Sequence, residues 1–224
     1  MTGAERPGKV AAMAEAKFIT FEGGEGAGKS TQVGLLASAL RAKGLSVVET
    51  REPGGSPGAE QIRGLLVDGP AERWLPLTEA LLHSAARAEH LARTVRPALA
   101  AESWVLCDRF TDSTLAYQGY GHELGRAPVE ALRALVAEGP RPDLTLIIDL
   151  PVTLGLARAG TRAGGAERYE AMGEAFHERV REGFRAIARA EPARCAVIDG
   201  SGDPEAVHGE VRAAVAARLG LELP

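Results

Sequence analysis

From Phe18 onward, short apolar runs alternate with amphipathic stretches, and that alternation predicts the architecture. Phe18-Ile19-Thr20-Phe21 reads as a first strand, followed by a Gly-rich turn and a helix carrying Leu35, Leu36, Ala39 and Leu40 on one face. Gly44 closes that helix, and Leu45-Ser46-Val47-Val48 reads as a second strand. After a turn rich in Gly and Pro at 53–58, helical stretches are predicted around 59–67 and 77–96. Trp104–Cys107, Leu144–Ile148 and Ala196–Ile198 supply three more strands, and Val207, Val211, Val215 and Leu219 stripe a terminal helix. Unbroken apolar strands separated by helices must be covered on both faces. The expectation is an α/β, three-layer fold: a five-stranded parallel sheet flanked by helices.

In such sheets ligands collect at the carboxyl ends of the strands. Each predicted strand is followed there by polar or Gly residues: Glu22-Gly23, Thr50-Arg51-Glu52, Asp108-Arg109, Asp149 and Asp199-Gly200. Directly after the first strand, Gly23-Gly24-Glu25-Gly26-Ala27-Gly28-Lys29-Ser30 matches G-x-x-x-x-G-K-[ST], with Thr31 beside it. Glycines let the backbone wrap a phosphate chain with its N–H groups turned inward, at a helix N-terminus. Lys29 then reaches the outer phosphates and Ser30 ligates Mg2+. This signal predicts a P-loop nucleotide-binding fold with the nucleotide's phosphates held over 23–31, but leaves open which nucleotide it is and what is done with it.

Composition narrows the choice. The 224 residues suit one domain, taken as 17–224, preceded by a disordered tail over 1–16 in which Met13 is a candidate alternative start. No stretch approaches the ~18 apolar residues of a membrane-spanning helix, and the first residues lack a signal-peptide apolar block, so a cytoplasmic protein is expected. A net charge of −4 argues against non-specific nucleic-acid binding. Cys107 and Cys195 each sit in apolar sequence and read as reduced, buried thiols. His90, His122, His177 and His208 are too scattered for a metal site. Of the 26 basic residues only four are lysines, and the chain has no asparagine. The N-K-x-D segment with which a GTPase reads guanine is therefore excluded.

An acceptor facing the cradle is the remaining requirement for a kinase. Arg51, after the second strand, suits an anionic acceptor because a guanidinium fork matches phosphate geometry. Asp108 is the expected second Mg2+ ligand. Asp149 fits the same pattern, but Arg109 beside Asp108 adds a phosphate partner. Arg158, Arg162 and Arg168 bracket a Gly-rich segment, so a mobile lid over about 158–170 is expected to bring Arg162 and Arg168 onto the transferred phosphoryl group. No general base is evident. None is needed if the acceptor is itself a phosphate, whose second pKa of about 6 leaves it a dianion at neutral pH.

These segments resemble the bacterial thymidylate kinases. The resemblance rests on Phe21-Glu22-Gly23-Gly24-Glu25-Gly26-Ala27-Gly28-Lys29-Ser30, Thr50-Arg51-Glu52-Pro53-Gly54-Gly55-Ser56, Asp108-Arg109-Phe110, Ser113–Gly119 and Arg141-Pro142-Asp143-Leu144-Thr145. It implies Mg2+-dependent transfer of the ATP γ-phosphoryl group to dTMP, giving dTDP and ADP, by a homodimer. It implies that Lys29, Arg109, Arg162 and Arg168 are catalytic. It implies that Glu25 lies near the acceptor's 3'-hydroxyl, that Arg51 and Arg109 grip the dTMP phosphate, and that Arg87 meets the thymine edge. Ser113, Thr114 and Gln118 would line the base, and Tyr117 would lie under the deoxyribose and exclude a 2'-hydroxyl. Three positions depart from the family pattern. His83 stands where a phenylalanine stacks on thymine, Glu167 replaces the lid aspartate, and Gly26 follows the cradle carboxylate where some members carry an arginine. The alternatives are another nucleoside monophosphate kinase of the same fold, or a nucleotide-binding regulatory protein without catalysis.

Overall fold

The computed structural model describes residues 15–136, 139–161 and 168–224. Arg162, Glu167, most of the expected tail and Met13 lie outside the described residues. Five parallel strands form one sheet in the order β2-β3-β1-β4-β5. They are β1 Phe18–Glu22, β2 Val47–Arg51, β3 Trp104–Asp108, β4 Leu144–Asp149 and β5 Cys195–Asp199. The predicted strands are all present. β2 starts two residues late and runs on through Glu49-Thr50-Arg51, because it pairs in register with β3 from Val47↔Trp104 to Arg51↔Asp108. As an edge strand only half covered, it tolerates those polar residues.

β1 lies at the centre and is buried along its whole length. On one face Ile19 and Phe21 pack with Leu36 and Leu40 of α1 (Lys29–Ala42) and with Val207, Val211 and Val215 of α9 (Pro204–Leu219). The other helical layer contains α2 (Pro57–Val67), α3 (Pro76–His90) and α4 (Arg96–Ala100), with a wide turn at Leu91–Val95 running α3 into α4. Short α5 (Thr111–Thr114), a second wide turn (Leu115–Gly121) and α6 (Arg126–Val136) follow β3. α7 (Val152–Ala159) and α8 (Glu174–Ala190) lie between β4 and β5. Tyr117, Phe176, Val180, Phe184 and Ile187 make a separate cluster under α8.

The strand order reverses at β1: β3 and β2 lie to one side, β4 and β5 to the other. A crevice forms at such a switch point outside the carboxyl ends of the strands. The cysteines are buried and free, as their apolar surroundings predict. Among the described residues no helix is long and apolar enough to cross a membrane.

Candidate active site

The loop between β1 and α1 occupies that crevice. Gly23 adopts φ 135°, and a Cβ there would strike the Ile148 carbonyl of β4. At Gly26, φ is 66° and a Cβ would collide with the Gly155 carbonyl of α7. Gly155 is reciprocally tight against the Glu25 carbonyl. The departure at Gly26 thus has a packing cause, since no side chain fits while α7 lies where it does.

A cleft of about 350 Å³ opens above this loop. Glu25 to Thr31 line it, and Gly23 and Gly24 form the underside of the loop. Lys29 is buried, and its ammonium donates to the carbonyl oxygens of Gly24 at 2.9 Å and Gly23 at 3.2 Å. Burial, reinforced by the Arg109 charge, brings Lys29 down to about 8. Arg109 comes from the end of β3 and donates through Nη1 to the same Gly23 carbonyl at 2.9 Å. Its Nη2 reaches Glu25 Oε1 at 3.0 Å, and its guanidinium lies 4.9 Å from the Tyr117 ring centroid. Tyr117 donates its hydroxyl to Glu25 Oε1 at 2.6 Å. Burial opposes ionisation of Glu25, but the Arg109 and Lys29 charges and the Tyr117 hydroxyl outweigh it and hold Glu25 near about 2. Glu25 is therefore a fixed anion and a poor proton acceptor at neutral pH.

Ser30 donates its hydroxyl to Asp108 Oδ2 at 2.5 Å. Two hard oxygen donors in contact beside a phosphate loop fit a small divalent cation that takes its other ligands from phosphate and water. Among the described residues no group of three or more His, Cys, Asp or Glu stands together. Asp149, equal to Asp108 on sequence pattern, is taken up by Arg181 at 2.8 Å and Arg185 at 2.7 Å.

The far end of the cleft is lined by Arg51, Glu52, Pro53, Arg63, Val67, His83, Ser113, Tyr117, Gln118 and Tyr169. Arg51 is half exposed and pairs with Glu60 at 3.1 Å. Gln118 donates Nε2 to the buried Glu79 at 2.7 Å, and its buried Oε1 has no protein partner. His83 Nε2 meets the Tyr169 hydroxyl at 2.8 Å, and burial brings the imidazole down to about 4, so its ring is neutral. Arg63 and Tyr169 went unseen in the sequence. Arg63 had no motif to mark it, whereas an aromatic beside an expected lid arginine was an available signal for Tyr169.

The structure engages three of the expected site residues in other contacts. Arg87 and Thr114 are not among the residues that line the cleft. One layer behind it, Arg87 donates Nε to Glu52 at 2.7 Å and Nη2 to Thr114 Oγ1 at 2.9 Å and the Phe110 carbonyl at 3.1 Å. Its guanidinium braces Glu52, which does line the cleft. Arg168 is not poised over the cradle: its side chain is wholly buried against Glu79. It donates to the carbonyls of Leu66, Pro70 and Ala71 at 3.2, 3.0 and 2.8 Å. All its donor nitrogens are thus engaged in joining α2 to α3. Arg158 does line the cleft, donating to the carbonyls of Gly200 and Ser201 at 2.9 and 3.2 Å.

Central β1, the glycine loop at the switch point and the converging Lys29 and Arg109 define a P-loop phosphotransferase of the nucleoside monophosphate kinase class. Comparison with known proteins makes the class particular. A family model described as thymidylate kinase matches residues 21–211. A thymidylate kinase of Caulobacter vibrioides is 56% identical over 93% of this chain and 100% of its own length. One of Rhizorhabdus wittichii is 52% identical over 89% and 97%. The crystal structure of a thymidylate kinase from Ehrlichia chaffeensis superposes with a TM-score of 0.72 at 38% identity, covering 88% of this chain and 96% of that one. The chain belongs to the thymidylate kinase family.

Proposed function

We propose that this protein transfers the γ-phosphoryl group of ATP to dTMP, yielding dTDP and ADP, with Mg2+ held by Ser30 and Asp108. The observation that carries the reading is the meeting of Lys29 and Arg109 on a single carbonyl, that of Gly23. One cation belongs to the nucleotide loop and the other to the acceptor side, so the two phosphate ends meet where both can be neutralised. Bound Mg2+ would neutralise the donor's phosphate oxygens. The protein's remaining task is to hold two polyanions in line and free of water.

Arg51 and Arg109 grip the acceptor phosphate, which is already a nucleophile. That suits a site whose nearest carboxylate, Glu25, is held ionised and doubly bonded. Tyr117 meets Tyr169, Phe176 and Phe184 edge to face, so its ring is fixed and forms a rigid floor that excludes a 2'-hydroxyl. Gln118 offers its free Oε1, and neutral His83 its ring, to the base. Arg162 remains the proposed lid cation. The acceptor-side cations also speak against a regulatory protein that only binds nucleotide. Leu65, Leu77, Leu81 and Leu135 lie exposed on α2, α3 and α6 and support a homodimer through those helices.

Initial rates with dTMP, dUMP, UMP and dGMP test the assignment. The kcat/KM for dTMP should exceed that for dUMP by about 10-fold or more, the range one buried methyl supplies. A clear preference for any other acceptor rejects it. A second expectation follows from Lys29. Because only its charged form attracts phosphate, kcat/KM for ATP should hold level from about 7, where the acceptor is a dianion, to about 8 and fall with unit slope above it, where free Lys29 loses its proton. A profile flat to high pH would show that Lys29 is not the controlling group.

A further inference from the structure

β1 ends in a carboxylate that the proposed reaction does not use. Glu22 is completely buried, one residue before the phosphate loop. Its Oε1 accepts from the Phe110 N–H at 2.8 Å and the Ser113 N–H at 3.2 Å, and its Oε2 accepts from the Ser113 hydroxyl at 2.5 Å. No cation lies in direct contact with it among the described ion pairs. Burial first, and then the Asp112 charge, push it up to about 7. This is a costly place for an acid.

The donors it holds follow directly on one unusual residue. Arg109 adopts φ 71°, a left-handed conformation that residues with side chains rarely take. Such backbone persists only where its surroundings over-determine it. The Arg109 N–H is fixed on the Phe21 carbonyl at 2.8 Å, and the next N–H, from Phe110, is fixed on Glu22. Both anchors are consecutive residues of β1. Ser113 closes the loop, since its hydroxyl donates to Glu22 while accepting from Arg109 Nη1 at 3.2 Å. On the opposite side, Asp112 is clamped by Arg194 at 2.7 and 3.0 Å.

We propose that Glu22 is a positioning residue for Arg109. It ties the 109–113 segment to the strand that feeds the phosphate loop, so that the acceptor-side and donor-side cations keep one fixed relation. This rests on the acceptor role given to Arg109 above.

The test combines kinetics with a measurement that needs no substrate. Glu22→Gln keeps an oxygen for the two N–H groups but puts a donor in place of the second acceptor, and Ser113→Ala removes only the hydroxyl arm. Glu22→Gln should lower kcat/KM for dTMP about 20-fold, and Ser113→Ala about 5-fold. In an Arg109→Ala background the same Glu22→Gln change should cost less than about 3-fold, because nothing remains to be positioned. Without nucleotide, amide hydrogen exchange at Phe110 and Ser113 should quicken at least about 10-fold in both variants, with α9 amides unaltered. Equal kinetic losses in the two backgrounds, or unchanged exchange at Phe110 and Ser113, would overturn the proposal. A wild-type protein inactive on dTMP would instead overturn the functional reading, and the exchange arm would still decide the role of Glu22.

Discussion

Arg109→Ala should lower kcat/KM for dTMP by about 10³-fold while the KM for ATP moves only a few-fold. Removal of one preorganised cation or donor from a phosphoryl- or acyl-transfer site costs about 10²- to 10³-fold or more. Arg109 adds a second loss, because its departure strips Glu25 of its nearest cation in a buried setting. The freed Glu25 carboxylate would then repel the incoming acceptor phosphate. Arg109→Lys should recover less than about a tenth of the loss, since a single ammonium nitrogen does not replace the two guanidinium nitrogens that separately reach the Gly23 carbonyl with Ser113 and Glu25. Initial rates with each substrate varied at saturation of the other separate the two effects. A kcat/KM for dTMP within about threefold of wild type would remove Arg109 from the acceptor site.

Arg168→Ala is expected to act first on stability. Breaking a buried ion pair by removing one partner costs about 3–5 kcal/mol, because the other charge is left uncompensated. Here the stranded group is Glu79, itself fully buried. Three backbone carbonyls lose their donor in the same change. For a chain of this size the loss corresponds to a fall in Tm of about 10 °C or more. Thermal unfolding followed by circular dichroism measures it directly. A variant with wild-type Tm but turnover reduced more than about 10-fold would return Arg168 to the catalytic group. The reason the sequence pointed the wrong way is physical. Arg168 follows a Gly-rich stretch, a pattern that suits a mobile lid, whereas its partners Leu66, Pro70 and Ala71 lie about a hundred positions earlier. Nothing local to Arg168 records them.

The strands were legible because parallel strands covered on both faces are nearly continuous apolar runs, as in Leu144–Ile148. The phosphate loop was legible because its glycines are dictated by backbone geometry that no other residue tolerates, as at Gly23 and Gly26. Boundaries were less so: β2 is fixed by pairing with β3 and carries polar residues that its own composition would assign to a turn. α6 was missed although Val129, Leu132 and Val136 have helical spacing, since only Val129 is buried and Pro128 opens the segment. The carboxylates and cations at the strand ends were correctly gathered on one rim. Which of them touch the cleft was not legible, because Asp108 and Asp149 each close an apolar strand, and only the pairing of Asp149 with Arg181 and Arg185 of α8 sets them apart.

The close approach of Gly26 and Gly155 has a consequence for how this site can vary. The loop that wraps the phosphates and α7 share a contact with no room for one extra carbon, so neither glycine accepts a side chain while both backbones stay in place. An arginine at position 26 would have to be preceded or accompanied by outward movement of α7, with Arg158 at its end carried along. A side chain at either 26 or 155 would strike the backbone of the other segment, so each should be tolerated only where α7 has moved outward, which makes the chemistry available at position 26 a property of helix placement and not of one residue.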